Sequence, residues 1–236
     1  MSRPGRFSSG CALIALCFWC GAPPLARAEE IADALSAAQQ HETAGRFPQA
    51  ITAYERILST HPDQMEARLG LGTSLAGAKR FEEAIGAFKE VLARDPANAR
   101  AHLLLGDIYL YHVQQYDLAL AAFEQAASMG DPRTKGLAME QAGDILMMAK
   151  HDWAQAAERY RRVLATWPNH IKTHYNLGGC LANQGELEAA VAEMELVIKL
   201  APKAEAPEMA TRAREAIAAI RAKQAAAGAP PTTATP

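Results

Sequence analysis

Along the chain, Phe47, Phe81, Tyr116, Trp153 and Leu187 each stand three residues before an alanine, at Ala50, Ala84, Ala119, Ala156 and Ala190. Seven residues on comes a large side chain (Tyr54, Phe88, Phe123, Tyr160, Met194), and ten on a small or β-branched one (Ile57, Val91, Ala126, Val163, Val197). Offsets of 3, 7 and 10 return to one face of an α-helix, so the pattern predicts five helices, each with a single apolar stripe. Their starting residues lie 34, 35, 37 and 34 positions apart, a period that marks a repeat array. Upstream of each, a small residue recurs at Ala38, Gly72, Gly106, Gly143 and Gly178, usually behind an apolar one such as Leu71, Leu105 or Leu177. That places a second helix in every unit, with a small residue where two backbones approach closely. Pro62, Pro96, Pro132, Pro168 and Pro202 punctuate the unit ends, because proline cannot continue a helix. Each unit therefore reads as a helical hairpin.

The most regular unit, Ile171 to Pro202, carries Leu177-Gly178, Gly185, Ala190, Met194 and Pro202 in register. In these residues it resembles the tetratricopeptide repeat family, and the resemblance extends from about Ile31 to Pro202. It implies an all-α solenoid of about five hairpins, stacked in a right-handed superhelix whose first helices line a concave surface. One hairpin cannot bury its apolar face alone, so neighbours must stack. The chain departs from the family pattern at Ala38, which replaces a glycine, and at His41. The third and fourth units hold one extra residue between their arms (Gly106 to Tyr116, Gly143 to Trp153), and Met129–Lys135 reads as a lengthened linker. After five repeats over residues 29–203, residues 204–227 predict a C-terminal capping helix with Met209, Ala213, Ala216, Ile217 and Ile220 on one face. Residues 228–236 have no apolar face and are expected to form a disordered tail.

The N-terminus carries an address. Arg3 and Arg6 precede the apolar run Cys11–Cys20, and Ala26-Arg27-Ala28 supplies small residues before a cut, the plan of a cleavable secretory signal peptide over residues 1–28. Gly21-Ala-Pro-Pro24 ends that run well short of the ~20 apolar residues a membrane span needs. The mature chain is thus expected to start at Glu29, to be periplasmic and to carry no integral membrane segment. Cys17-Phe-Trp-Cys20 has redox spacing but lies within the leader, and the residues before each cysteine do not fit a lipoprotein signal. Cys180 alone survives cleavage, so no internal disulfide forms and stability rests on packing.

Across the chain 24 basic residues face 26 acidic ones; losing Arg3, Arg6 and Arg27 leaves 21 against 26, a mildly acidic protein with no basic run. Nucleic acid is therefore not an expected partner. Cys180 lies among packing residues without a base, so no catalytic residue is predicted. His102 and His174 share one repeat position and read as core packing. His170 and His174, four apart, lack the glutamate of a metalloprotease helix, so no metal is expected. Gly106-Asp107 and Gly143-Asp144 lack a glycine-rich loop, so no cofactor is expected either.

The family resemblance implies which positions face the groove. In the second unit they are Glu66, Leu69, Gly70 and Thr73, and in the third Arg100, Leu103, Leu104 and Asp107. The fourth contributes Leu137, Glu140, Gln141 and Asp144, and the fifth Lys172, Tyr175, Asn176 and Gly179. Leu35, Gln39 and Gly70 stand where the two-carboxylate clamp of chaperone-binding members needs Lys and Asn, so that clamp is absent. Asp107, Glu140 and Asp144 are expected to make the middle of the groove acidic, with Tyr175 and Asn176 completing one patch. The bland alternative is that these carboxylates are merely solvated. The functional expectation is a non-enzymatic adaptor that holds a neutral or basic protein or peptide segment in its concave face. The competing one is an accessory subunit or small-ligand binder serving an envelope enzyme or exporter.

Overall fold

All five predicted second helices begin at the residues that set the repeat. A computed structural model describes residues 24–228. In it α1 (Pro24–Thr43) pairs with α2 (Phe47–Thr60), α3 (Met65–Gly77) with α4 (Phe81–Arg94), and α5 (Ala99–Ile108) with α6 (Tyr116–Met129). The fourth hairpin is α7 (Pro132–Met148) with α8 (Trp153–Thr166), and the fifth is α9 (Ile171–Gln184) with α10 (Leu187–Leu200). A 3₁₀ turn, Ala201–Ala204, leads to α11 (Pro207–Gly228), which packs on α10 and α9 through Ala210, Ala213, Ile217 and Ile220. Every regular element among the described residues is helical, and none is long and apolar enough to cross a membrane. The expected leader lies outside the described residues up to position 23; α1 starts at Pro24 and runs through the expected cut after Ala28. The expected tail beyond Gly228 also lies outside them.

Within each hairpin the large residue of the second helix lies on the small residue of the first. A Cβ placed on Gly72 would stand 2.6 Å from the Phe88 ring, one on Gly106 2.7 Å from Phe123, one on Gly143 2.8 Å from Tyr160 and one on Gly178 2.9 Å from Met194. These contacts leave no room for a methyl group, which explains the glycine as a matter of volume. In the first unit Ala38 takes the glycine's place in one core cluster with Tyr54, whose tip also lies over Gly70 of the next hairpin. All five large residues are essentially buried, as are Ile57, Val91, Ala126, Val163 and Val197.

First helices of successive hairpins also touch one another (α1 with α3, α3 with α5, α5 with α7, α7 with α9), whereas second helices make at most marginal contact with their counterparts. The first-helix row is therefore the inner, concave side of the solenoid.

A left-handed residue turns the chain two positions before each second helix: Gly45 (φ 68°), Lys79 (62°), Gln114 (57°), His151 (54°) and Gly185 (85°). The extra residue of the third unit is absorbed as a π-helical turn, Tyr109–Val113, closed by the Gln115 N–H donating to the Tyr109 carbonyl at 2.8 Å. In the fourth unit Lys150 N–H reaches back five residues to the Ile145 carbonyl at 3.2 Å. The predicted long linker over Met129–Lys135 is not a linker. Only Gly130 and Asp131 are non-helical, because Asp131 caps α7 (its carboxylate accepts from Arg133 N at 2.9 Å and Thr134 Oγ1 at 2.6 Å) with Pro132 at the first helical position.

Arg68, His102 and His174, which share one repeat position, each donate to the carbonyl of the turn proline six residues before, Pro62, Pro96 and Pro168. Arg68 and His174 also pair with Glu90 and Glu193 of their second helices. These histidines are thus clasps that hold the inter-repeat turn to the hairpin, and only His174 is buried. Packing alone, the role expected for them, omits the hydrogen bond. Pro132 and Pro202 lie within a helical turn and offer no such carbonyl site.

Gly86 sits mid-helix on the outer face of α4 with open space around its missing side chain, while Ala119 on α6 is fully buried. Gly86→Ala should raise the stability by about 0.5–1 kcal/mol, and Ala119→Leu should lower it by about 1–3 kcal/mol through overpacking. Thermal or urea melts check both; equal midpoints for the two variants would contradict the packing described.

Candidate functional site

The groove begins with a polar hollow of about 250 Å³ lined by Gln39, Glu42, Thr43, Tyr54, Glu66, Leu69, Gly70 and Arg100. Tyr54 donates to Glu42 at 2.9 Å; burial first, then that hydrogen bond, pushes its phenol pKa up. Leu69 and Arg100 line this hollow as the sequence implied. Thr73 turns its hydroxyl back onto the Leu69 carbonyl at 2.9 Å, and Leu103, like Leu104, is half-buried against the core under α5.

Farther along, Lys172 on α9 reaches across to α7 and places Nζ 3.0 Å from Glu140 and 2.9 Å from Asp144. Asp144 also accepts from Tyr160 Oη at 2.6 Å and from Asn176 Nδ2 at 2.9 Å. Both carboxylates are largely covered while Lys172 is about half exposed. Burial works against the Lys172 ammonium, but the hydrogen bonds and charges of Asp144 and Glu140 together outweigh it and raise its pKa. The expected acidic middle is therefore a closed network at this point. Its two carboxylates are held by an ammonium, a phenol and an amide of the same chain.

Asp107 occupies the equivalent place one unit earlier and has no hydrogen-bonding or ionic partner among the described residues. Phe123 lies on Gly106 as Tyr160 lies on Gly143, the same ring atoms at 2.7–3.0 Å and 2.8–3.2 Å from the respective built Cβ. Phe123 simply has no hydroxyl. In repeat register, Leu137 stands for Lys172 and Gln141 for Asn176, and the Gln141 carbonyl oxygen already accepts from Tyr111 Oη at 2.9 Å. Burial pushes the Asp107 carboxyl from 3.8 up to about 6, with no opposing charge to hold it down. Asp107 and Tyr175 are thus not joined to the Glu140–Asp144–Asn176 cluster by hydrogen bonds. Tyr175 packs instead toward Ile171, Met194 and the start of α11.

Between α5 and α7 opens the larger hollow, about 640 Å³, lined by Leu110, Tyr111, Gln114, Tyr116, Asp144, Ile145, Met148 and Ala149. Tyr111 and Met148, 58% and 71% exposed, are prominent apolar groups of the groove, and sequence reasoning missed both. They lie four residues after Asp107 and Asp144, one turn farther on the same helix faces, a signal available in the helical period. Cys180 is fully buried, and desolvation followed by the nearby Asp144 charge pushes its thiol up to about 11, so it is no ready nucleophile. No group of three or more His, Cys, Asp or Glu residues is arranged to hold a metal among the described residues.

A tetratricopeptide-repeat family model matches residues 35–92 and 72–133, and a second tetratricopeptide-repeat model matches residues 147–213. These spans cover well over half of the sequence. The chain belongs to the tetratricopeptide-repeat (TPR) family. No curated protein matches it significantly in sequence. Among solved structures, that of MamA protein superposes with a TM-score of 0.64 at 21% identity, over 75% of this chain and 94% of that one. YrrB, described as a TPR protein with an unusual peptide-binding site, superposes at 0.63 and 20% identity, over 83% of this chain and 100% of that one. At these identities the likeness is one of fold. A TPR solenoid with an open first-helix groove is a protein-interaction scaffold.

The paired and the unpartnered carboxylate sites should respond oppositely to substitution. Lys172→Ala leaves Glu140 and Asp144 without their cation and should lower stability at neutral pH by about 1–3 kcal/mol, below the fully buried range because Lys172 is partly solvated. Asp107 binds its proton more tightly folded than unfolded, so its contribution to stability falls as pH rises from about 4 to about 6 and stays low above that. Asp107→Asn removes this penalty. It should stabilise the protein by about 1–2 kcal/mol at pH 7.5, discounted for partial exposure, with the gain vanishing below about pH 4. Urea titrations of wild type and variant across pH measure the difference directly.

Proposed function

We propose that this protein is an exported, periplasmic TPR adaptor that holds an extended or helical segment of a partner protein in its concave groove, in the assembly of an envelope complex. The observation that carries the reading is the groove itself. Two hollows, of about 250 Å³ and 640 Å³, lie on one continuous row of first helices and share it with exposed Tyr111, Met148 and Arg100. Aromatic and methionine side chains supply contact area, and polar groups between them supply register. The leader-like N-terminus supports export.

Two measurements test the proposal. Expressed from its full sequence in its native host, the protein should be recovered from the periplasm with an intact mass that begins at Glu29; a full-length or lipid-modified chain would remove the export half. A photo-activatable residue at Met148 in the groove should crosslink a discrete partner, whereas one at Gln125 on the outer face of α6 should not. Crosslinks from Gln125 alone would move recognition to the convex side.

A further inference from the structure

We propose that Asp107 is a receptor for one lysine or arginine side chain of the partner, with a neighbouring apolar residue of the partner lying on Tyr111 and Met148. This deepens the groove-binding reading and rests on it. The geometry comes from the chain's own repetition. One unit later, Asp144 shows what this position does when its surroundings are complete: Lys172 Nζ stands 2.9 Å from its carboxylate, Tyr160 Oη 2.6 Å and Asn176 Nδ2 2.9 Å. At Asp107 each donor is replaced by a group that does not reach it: Phe123 for the tyrosine, Leu137 for the lysine, and Gln141, engaged with Tyr111, for the asparagine.

A half-buried carboxylate stripped of three donors gains most from an incoming cation, because a charge-assisted hydrogen bond replaces a desolvation penalty that the folded chain already bears. The burial that pushes the Asp107 carboxyl up to about 6 is consistent with that penalty, and no cation of the described residues stands within ion-pair distance of it. The surroundings select what accompanies the cation. Leu137, Tyr111 and Met148 are 39%, 58% and 71% exposed, large apolar groups without cover. Tyr111 and Met148 line the 640 Å³ hollow, which is large enough for a leucine-, methionine- or phenylalanine-sized side chain. The Asp144 network, already saturated by Lys172, does not compete for the partner's base. A partner acidic at this point would meet an unpaired carboxylate and be rejected.

Selection of a displayed library of short random segments on the full chain tests this. Segments carrying Lys or Arg next to an apolar residue should be enriched, and synthetic versions should lose roughly tenfold or more in affinity on Asp107→Asn. Leu137→Lys should place the chain's own ammonium on Asp107, as Lys172 sits on Asp144; it should both raise the melting temperature and abolish binding of the same segments. Tyr111→Ala separates this inference from the reading beneath it. Segments that lack a base, lose affinity on Tyr111→Ala and ignore Asp107→Asn would overturn the cation receptor while leaving the groove as the binding face. Affinity that survives Leu137→Lys would overturn it as well. Segments indifferent to all three substitutions, or no binders at all, would overturn the groove reading and the receptor with it. Unchanged circular dichroism in every variant certifies that the fold is intact.

Discussion

A ring lying on a glycine governs the solenoid. Phe88 on Gly72, Phe123 on Gly106, Tyr160 on Gly143 and, with a thioether in place of a ring, Met194 on Gly178 draw the two helices of a hairpin together until no methyl group fits between them. Because that contact recurs at the same offset, it fixes the rotation of each second helix, and with it which face of the first helix is left over for the groove. The first unit has an alanine at the glycine position. Ala38 stands in place of the glycine, the tip of the Tyr54 ring lies over Gly70 of the next hairpin, and its hydroxyl donates to Glu42 in the polar hollow. Tyr54 remains in one core cluster with Ala38 while its tip reaches the next hairpin, as the Tyr160 phenol reaches Asn176.

The same contact explains why a tyrosine in place of a phenylalanine has consequences for electrostatics. The ring edge lies beside the residue after the glycine, so the phenol of Tyr160 reaches Asp144, while Phe123 brings only carbon to Asp107. Two carboxylates at equivalent positions therefore differ in kind. Asp144 belongs to the scaffold and ties α7 to both α8 and α9, whereas Asp107 is half-buried without a partner among the described residues. Unpaired burial of this sort destabilises the free protein, and a cation from outside the chain would offset it.

Much of this was legible in one dimension. The period, the glycine, the proline and the offsets of 3, 7 and 10 placed all five hairpins, and the apolar face of residues 204–227 placed the cap. Two things were not legible. Met129–Lys135 looked like a loop because Gly-Asp-Pro is turn chemistry, yet Asp-Pro is also a cap before a first helical residue, and the cap won because α7 could extend over α6. Glu140 and Asp144 looked like an acidic patch because their counterion, Lys172, is 28 and more residues away and was counted separately; pairing between units depends on side-chain reach, which spacing does not encode. Tyr111 and Met148 were accessible to helical arithmetic, had the groove face been extended one turn beyond Asp107 and Asp144.

That last turn is also where the repeat is irregular. The third and fourth units each hold one residue more than the second, and the excess falls at the C-terminal ends of α5 and α7, as the π-helical turn Tyr109–Val113 and as the five-residue reach of Lys150 N–H to Ile145. A π turn widens the helix and rotates the residues beyond it, so an insertion there alters the inner face without disturbing the glycine contact that holds the hairpin. Leu110 and Tyr111 from one of these ends, Met148 and Ala149 from the other, line the larger hollow. The two insertions are thus adjacent in space although 37 residues apart in sequence, and both enlarge the same region of the groove. An array of identical repeats would present the same surface five times over. In this one the extra residues of two units converge on the face between α5 and α7, one turn beyond Asp107 and Asp144, and that convergence gives the inner surface a feature the other units lack.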